Sequence, residues 1–316
     1  MSALGEFALI RRYFTPAYVP AHVSVGVGDD CAVLKMPAGH ELAVSIDTQV
    51  AGVHFPVDAD PENIAARALR CAASDLAAMG AEPLGFTLAL TLPLVAHDWL
   101  EKFSAGLHQT AEQLSCPLIG GDTTRGPLTV TVQVHGSIPA GAAIKRSGAT
   151  IGDKIWVSGS LGDGAAALAL IENNLVLTEN ASNYLQLRFY QPAIEFSLAV
   201  KLRAVASSCI DVSDGLLADL GHICEASNVG AIVQLAQLPI ASVWRDAVSI
   251  EQARQWALTG GDDYRLCFTA AEQHTKYLAL LPGVTCIGDI VIAGGIDVQD
   301  ENGLPYSVSD KGFQHF

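Results

Sequence analysis

The sequence predicts a mixed α/β protein that folds into two domains. Its 316 residues are about twice the ~150 residues typical of one domain. Half of them are hydrophobic and only 16% are charged, a composition that can build a core and excludes disorder. Along the chain, short segments with the apolar–polar alternation of strands come between alanine-rich segments typical of helices. We therefore expect sheets and helices in both halves.

The first half contains four segments with a clear periodicity. Residues 42–46 are predicted to form a buried strand, and the alanine-rich residues 62–79 a helix. Residues 85–92 and 129–135 alternate apolar and polar side chains, which predicts two further strands.

A segment dense in glycine and small residues, 136–153, separates the two halves. We place the domain boundary there and assign residues 1–140 to the first domain and 141–316 to the second. The second half is predicted to contain strand 155–157, a glycine-rich turn, an alanine-rich helix, a helix after Asp214, and strands 231–235, 265–268 and 286–291.

The charge balance restricts the classes of partner. Asp and Glu number 33 against 18 Lys and Arg, a formal charge of -15, so the surface repels nucleic acids and anionic lipids. The start has no signal-peptide pattern, and no segment is apolar enough for a membrane span. The seven cysteines are an odd number, widely spread, with no C-x-x-C spacing. We expect reduced thiols in a cytoplasmic protein that binds neither nucleic acid nor membrane.

The aspartates carry the strongest functional signal. Many follow an apolar run directly and lie beside Gly or Ser, where a short carboxylate is presented at a sheet edge and the backbone can approach a ligand. Each one alone is also explained as a turn or cap residue. The residues with this setting are Asp29, Asp30, Asp47, Asp122, Asp211, Asp214, Asp262 and Asp263.

Asp75 has a different setting, in the middle of the predicted helix 62–79. Its same-face neighbours are small or apolar, so an ionised carboxylate there is costly unless it is paired or binds a metal. Two alternatives stand: pairing with Arg67 or Arg70, or a role in a cation site. Ligands made of oxygen alone favour Mg²⁺ before Ca²⁺, and several scattered aspartates suggest several ions around a polyphosphate.

The common phosphate-binding and catalytic motifs are absent from the sequence. It contains no P-loop, no protein-kinase motif and no complete EF-hand loop. The glycine loop at residues 159–164 opens a helix whose N–H groups could hold an anion. Arg146 could clamp a phosphate or merely be exposed. The DVSDG segment at residues 211–215 mimics a nucleophile elbow, but no acid and histidine can be assigned to it.

Taken in order, the motifs resemble the thiamine-monophosphate kinase family, in the superfamily of aminoimidazole ribonucleotide synthetase and selenophosphate synthetase. The likeness runs nearly end to end. It rests on GEFALI, GDDCAVL, SIDTQVAGVHF, SDLAAMGAEP, LIGGDTTRG, RSGATIGD, DVSDGLLADLGHI, GGDDYRLCF and the terminal GFQHF.

The resemblance implies transfer of the γ-phosphoryl group of ATP to thiamine phosphate with the help of several Mg²⁺ ions. It implies two α/β domains, with the sheet of the N-terminal domain pairing with that of a second subunit to form a dimeric barrel. The C-terminal domain would complete the nucleotide and substrate site. The implied metal ligands are Asp30, Ser45, Asp47, Asp75, Asp122, Asp211 and Asp214; the implied ATP contacts are Gly121, Asp122, Arg146 and Ser213; the implied thiamine phosphate contacts are His54, Asp262 and Phe313.

Two positions depart from the family pattern. Ile46 stands where relatives often carry Thr, and Asp262 replaces the usual Glu with a side chain shorter by one methylene group. Phe313 lies where the pattern tolerates variation, and it could equally be a buried C-terminal anchor.

An acceptor that is already an anionic phosphate needs no strong general base, so we expect direct in-line transfer without a phosphoenzyme and without a catalytic side chain. Two rival functions remain. One is another enzyme of the superfamily, either an amidine cyclase or a selenophosphate synthetase that uses Cys31. The other is a non-catalytic nucleotide- or metal-binding regulator.

Overall fold

The computed structural model describes residues 6–292 and 294–308. Phe313 and the terminal GFQHF motif lie outside the described residues. The chain divides into two compact units, one formed by residues 6–76 and 81–142, the other by residues 77–80 and 143–308. Both units contain sheets and helices, which confirms the mixed α/β class. No helix within the described ranges is long and apolar enough to cross a bilayer.

The first unit is built on a four-stranded sheet of order β3-β6-β4-β5, in which only β4 and β5 are parallel. A small antiparallel pair, β1 and β2, precedes it. The elements are α1 (Glu6–Leu9), a π-helical turn (Ile10–Phe14), β1 (Val23–Val25), β2 (Val33–Leu34), β3 (His40–Val50), α2 (Pro61–Ala78), β4 (Glu82–Leu92), α3 (His97–Gln113), β5 (Leu118–Arg125) and β6 (Thr129–Pro139).

Small residues allow helix α2 to pack closely on both the sheet and helix α3. A Cβ atom at Gly136 of β6 would lie 2.9 Å from a methyl carbon of Leu76. A Cβ atom at Gly106 of α3 would lie 2.5 Å from the carbonyl oxygen of Glu62. The alanines of α2 are almost fully buried, so this helix covers one face of the sheet and its composition is explained by close packing.

The prediction of a buried strand at residues 42–46 is half wrong. A strand is present, but Leu42, Val44 and Ile46 are 53%, 49% and 60% exposed. Their side chains alternate with those of Ala43 and Ser45, which point to the face that α2 covers. Strand β3 is also an edge of the sheet. The strand is therefore confirmed and its burial is wrong, because in the single chain the face that carries Leu42, Val44 and Ile46 is open.

The second unit contains a six-stranded sheet of order β12-β9-β11-β7-β10-β8, antiparallel except between β12 and β9. Two 3₁₀ turns, Leu235–Gln237 and Glu272–His274, complete its regular structure. The elements are β7 (Lys154–Ser158), α4 (Asp163–Ile171), α5 (Glu179–Tyr190), α6 (Phe196–Leu202), β8 (Ala206–Val212), α7 (Leu216–Ser227), β9 (Gly230–Gln234), α8 (Ser242–Arg245), α9 (Ile250–Thr259), β10 (Arg265–Ala270), α10 (Thr275–Leu278), β11 (Val284–Val291) and β12 (Ile296–Gln299).

Both faces of this sheet are buried. Ile155 and Val157 of β7 belong to a core with α7 and α9, whereas Trp156 between them belongs to a second core with α6 and α10. Alternate residues of one strand thus enter opposite cores, which explains why the strands read as continuous apolar runs.

The helices and strands predicted from the sequence at residues 62–79, 85–92, 129–135, 155–157, 231–235, 265–268 and 286–291 are confirmed, as are the helices after the glycine loop and after Asp214.

Candidate active site

In the first unit, β3 and α2 bring two carboxylates and a hydroxyl together. Ser45 and Asp47 are two residues apart in β3, so their side chains point to the same face of the sheet, toward α2. The Ser45 hydroxyl donates a hydrogen bond of 2.5 Å to Oδ2 of Asp75. Burial first, and the charge of Asp75 second, raise the pKa of Asp47 to about 6. Two carboxylates that repel each other beside a hydroxyl form an oxygen-only donor set, which suits a hard divalent cation.

Arg67 and Arg70, the two arginines considered as partners of Asp75, also donate to other acceptors. The Arg67 Nε donates to the carbonyl oxygen of His54 at 3.1 Å, and a terminal nitrogen of Arg70 donates to Oε1 of Gln113 at 2.5 Å. The hydroxyl of Ser45 is one partner of the mid-helix carboxylate, and a cation site is consistent with this contact.

A cavity of about 550 Å³ opens at strand β5 of the same unit. Phe14 and Ile10 supply apolar lining, and Asp30 and Asp122 supply carboxylates; Cys31 lies beside them. Its size is typical of a small-molecule pocket. The apolar and acidic lining residues together are Phe7, Ile10, Phe14, Val27, Asp29, Asp30, Ala32, Leu88, Leu118, Ile119 and Asp122.

Gly121 is required where β5 meets β4. A Cβ atom there would lie 2.0 Å from the carbonyl oxygen of Leu88, a distance that no side chain tolerates. The Gly-Gly-Asp motif therefore lets the β5 backbone lie against β4 and places Asp122 at the cavity.

Asp47 and Asp122 lie far apart within one sheet. Asp47 pairs with Val132, which pairs with Leu88, which pairs with Gly121. At about 4.8 Å per strand, the two edges are about 14 Å apart. Asp122 follows Gly121 and so points to the opposite face. Accordingly, no group of three or more acidic, His or Cys side chains forms a metal cluster among the described residues.

His54 lies in a tight loop after β3. Its Nδ1 accepts a hydrogen bond of 3.0 Å from the backbone N–H of Val50, so in the neutral ring the proton is on Nε2. Its carbonyl oxygen is held by the almost fully buried Arg67. The loop therefore presents His54 as a hydrogen-bond donor of fixed orientation.

In the second unit, Asp211, Ser213 and Asp214 lie together where β8 ends and α7 begins. Asp211 is buried and is next to last in β8. The buried Asp219 in the first turn of α7 accepts hydrogen bonds from the backbone N–H groups of Ser213, Asp214 and Gly215, at 2.9, 3.0 and 3.2 Å. Burial raises the pKa of Asp219 to about 7, although the N–H donors act in the opposite direction.

The loop that carries Asp262 is joined to this turn. The N–H of Asp262 donates to the carbonyl oxygen of Ser213 at 2.9 Å, and the N–H of Tyr264 donates to that of Val212 at 2.7 Å. Asp262 and Tyr264 both have a positive φ, +67° and +49°, which is rare for residues with side chains and is often found at functional sites. The Tyr264 hydroxyl donates to Oδ1 of Asp262 at 3.1 Å.

The glycine loop at residues 159–164 already binds a carboxyl group, which belongs to the chain itself. Gly162 and Gly164 donate their N–H groups to the two carboxylate oxygens of Asp263, at 2.7 and 2.9 Å. Burial first, and the charge of Asp163 second, raise the pKa of Asp263 well above its usual range. The N–H groups that the sequence suggested could hold a bound anion therefore hold a side chain from another segment of the chain.

Arg146 is exposed in the segment that precedes β7. Its carbonyl oxygen accepts a hydrogen bond from Ser227 at 3.3 Å, and the same hydroxyl accepts from the N–H groups of Gly148 and Ala149. The backbone of the RSGA motif is therefore fixed to the end of α7, whereas the guanidinium group extends into solvent.

Comparison with known proteins now identifies the family. The model for the AIR synthase related protein N-terminal domain matches residues 28–138, and the model for the C-terminal domain matches residues 150–299. The thiamine-monophosphate kinase of Escherichia coli K12 is 46% identical over 323 aligned positions, which cover 99% of each chain. The chain belongs to the thiamine-monophosphate kinase family.

Solved structures of thiamine-monophosphate kinases share its fold. The crystal structure of the protein from Stenotrophomonas maltophilia K279a matches with a TM-score of 0.87 at 44% identity, over 93% of this chain and 96% of that one. A structure of AaThiL complexed with AMPPCP and TMP matches with a TM-score of 0.80 at 27% identity, over 99% and 97% of the two chains.

Two carboxyl groups outside the implied sets of metal ligands and substrate contacts hold the loops of this family member. Asp219 fixes the turn at residues 213–215, and Asp263 fixes the glycine loop. An acidic residue in the first turn of a helix is a recognisable signal for Asp219. The structure also locates the two residues that depart from the thiamine-monophosphate kinase pattern. Ile46 lies on the open face of β3, and the carboxylate of Asp262 accepts a hydrogen bond from the Tyr264 hydroxyl.

Proposed function

We propose that the protein transfers the γ-phosphoryl group of ATP to thiamine phosphate, which yields thiamine diphosphate. The observation that carries this proposal is the match to thiamine-monophosphate kinases over 99% of the chain. The geometry agrees with it, because Asp47 and Asp75 form a repelling acid pair suited to a divalent cation. Phosphoryl transfer asks the protein mainly for alignment and charge neutralisation.

The cations would be several Mg²⁺ ions. The residues fit them in kind, because the donors are all oxygens. A bound cation would offset both the burial of Asp47, which is the larger cause of its raised pKa, and the charge of Asp75, which is the smaller one. When bound, the ions would neutralise the phosphates and stabilise the charge that develops during transfer. The proposed ligands are Asp30, Ser45, Asp47, Asp75, Asp122, Asp211 and Asp214.

The cavity at β5 supports a nucleotide on the first unit. Phe14 and Ile10 offer an apolar surface for a base, and Gly121 lines the same cavity. We assign ATP contacts to Gly121, Asp122, Arg146 and Ser213. The Nε2–H group of His54 can donate a hydrogen bond to the phosphate or to the ring of thiamine phosphate. We assign His54, Asp262 and Phe313 as the contacts of this substrate.

We propose direct transfer, with no phosphoenzyme. The acceptor is a phosphate that is already anionic, so no side chain has to remove a proton from it. The chain's own residues then have three tasks: to bind the two anions, to orient them in line, and to hold the cations. We also place the reaction in the cytoplasm, a proposal supported by seven cysteines that are all free of disulfides.

The open face of β3 supports a homodimer whose sheets join into a barrel. Leu42, Val44 and Ile46 form an apolar row at an unpaired edge, and such edges are normally covered. Val44→Asp should yield monomers in sedimentation velocity. As a matched control, Val176→Asp changes a residue that is 90% exposed in the other unit and should leave the dimer intact. A dimeric Val44→Asp protein would refute this interface.

The experiment that tests the function is an assay of Mg²⁺-dependent ATP consumption with and without thiamine phosphate, with the products identified by mass. We expect ADP and thiamine diphosphate in equal amounts, and none without thiamine phosphate. Consumption with selenide or with an amidine precursor instead would favour another enzyme of the superfamily. Binding without turnover would favour a regulator. A labelled protein trapped after incubation with γ-labelled ATP alone would contradict direct transfer.

A further inference from the structure

The carboxylate of Asp219 is the centre of the turn that joins β8 to α7. Its Oδ2 accepts three consecutive backbone N–H groups, those of Ser213, Asp214 and Gly215. The side chain is only 2% exposed. Such a buried acceptor with three donors fixes the peptide planes of all three residues, because each lost hydrogen bond would leave a donor unsatisfied.

The turn depends on Gly215 as well. Its φ of +114° lies in a region that residues with side chains rarely adopt. A Cβ atom there would lie 2.7 Å from the carbonyl oxygen of Thr259. The chain therefore turns sharply enough for three successive N–H groups to point inward at one oxygen. The backbone of the turn therefore sets the direction in which the side chains of Ser213 and Asp214 leave it.

We propose that Asp219 is a positioning residue for the phosphoryl-transfer site. It would touch neither nucleotide nor metal; it would hold the turn at residues 213–215 so that Ser213 can contact ATP and Asp214 can hold a cation. This inference rests on the proposed function for the roles of Ser213 and Asp214. The hydrogen bond from Asp262 to the carbonyl of Ser213 extends the same control to the loop at residues 260–264.

The test uses Asp219→Asn in the full chain, with Asp163→Asn as a matched control. Asp163 is also a buried acid in the first turn of a helix, but it accepts from Trp244 and Tyr184 and not from the turn at residues 213–215. The first readout is hydrogen–deuterium exchange of the amides of residues 213–215 in metal-free protein. The second is the affinity for a non-hydrolysable ATP analogue with Mg²⁺.

We expect Asp219→Asn to speed exchange of these three amides and to weaken binding of the Mg²⁺–analogue complex by about 10- to 100-fold, the usual effect of losing a residue that orients a ligand. Asp163→Asn should lower the melting temperature but leave both readouts at wild-type values. The proposal is overturned if folded Asp219→Asn keeps both readouts within twofold, roughly the experimental error in such ratios. It is equally overturned if Asp163→Asn loses as much affinity.

If Asp219→Asn does not fold, two measurements remain. Asp219→Glu keeps the charge but moves the oxygens by one methylene group, and we expect an affinity between those of wild type and Asn. The wild-type amides of residues 213–215 should exchange slowly without metal; exchange as fast as in an open turn would end the proposal. Absence of thiamine phosphate-dependent turnover would refute the proposed function, while amide protection would still test Asp219.

Discussion

The backbone N–H of Asp262 donates a hydrogen bond of 2.9 Å to the carbonyl oxygen of Ser213. This contact joins the loop assigned to thiamine phosphate with the turn assigned to ATP. The two segments meet without an intervening side chain: a Cβ atom at Gly261 would lie 2.5 Å from the same carbonyl oxygen of Ser213. Donor and acceptor substrates would thus be positioned by two backbone segments that are hydrogen-bonded to each other.

Gly261→Ala should disturb both substrates at once. The added methyl group has no room against the Ser213 carbonyl, so we expect a loss of about 1–3 kcal/mol of stability and a rise in KM for both ATP and thiamine phosphate. Gly221→Ala is the matched control, because a Cβ atom there meets only Ile296 at 4.0 Å. It should gain up to about 1 kcal/mol and keep both KM values. A rise in only one KM for Gly261→Ala would show that the loops act independently.

Asp75→Asn should abolish most activity while the fold remains. One proposed metal ligand would be lost, so we expect kcat to fall by about a hundredfold or more, with a higher Mg²⁺ requirement. Ser45→Ala keeps both carboxylates and removes only the hydroxyl that donates to Asp75, and it should cost about tenfold. Steady-state kinetics at several Mg²⁺ concentrations and thermal unfolding measure these effects. An unfolded Asp75→Asn protein with normal activity per folded molecule would assign the residue a structural role.

His54→Ala should weaken use of thiamine phosphate and spare ATP. The Nε2–H donor disappears, and a hydrogen bond to a charged group is worth about 1.5–3 kcal/mol, or roughly 10- to 100-fold in KM. His40→Ala is the control: it removes a histidine of β3 whose Nδ1 contacts the carbonyl oxygen of Ala38 at 3.2 Å, and both KM values should stay unchanged. A selective rise in the ATP dissociation constant of His54→Ala would reverse the assignment.

Asp263→Asn should show how a buried carboxyl group makes the free energy of unfolding depend on pH. The pKa of Asp263 is raised in the folded protein, so the folded state keeps this proton to a higher pH than the unfolded chain does. The resulting stabilisation is complete below the unfolded pKa of about 4 and is lost as pH rises through the folded value. The gap in unfolding free energy between wild type and Asp263→Asn should therefore narrow as the pH rises above about 4 toward the raised pKa of Asp263. Urea titrations measure it; a gap that widens with pH would show that the ionised form is favoured.

Local sequence patterns predicted most of the helices and strands. The apolar run at residues 42–46 identified strand β3 but not its exposure, and the apolar surroundings of Asp75 identified a carboxylate that needs a partner. Which face of β3 is covered was not predictable, because coverage depends on where α2 packs. The hydrogen bond from Ser45 to Asp75 follows from no local pattern, because the two residues are 30 positions apart in sequence.

The buried carboxyl group of Asp263 shows the same limit. The glycine loop at residues 159–164 has the pattern of an anion-binding turn, and it does bind a carboxylate. That carboxylate belongs to Asp263, about a hundred residues later, and only the pairing of β10 with β7 brings them together. Distant contacts of this kind are set by topology, which no local motif encodes.

The distance between Asp47 and Asp122 has a consequence for how the molecule works at low concentration. The two carboxylates lie at opposite edges of one sheet and point to opposite faces. In the proposed dimer, an ion held by both carboxylates would draw them from two different subunits. Such an ion would make turnover depend on the pair, and dilution would then reduce turnover while each polypeptide stays folded.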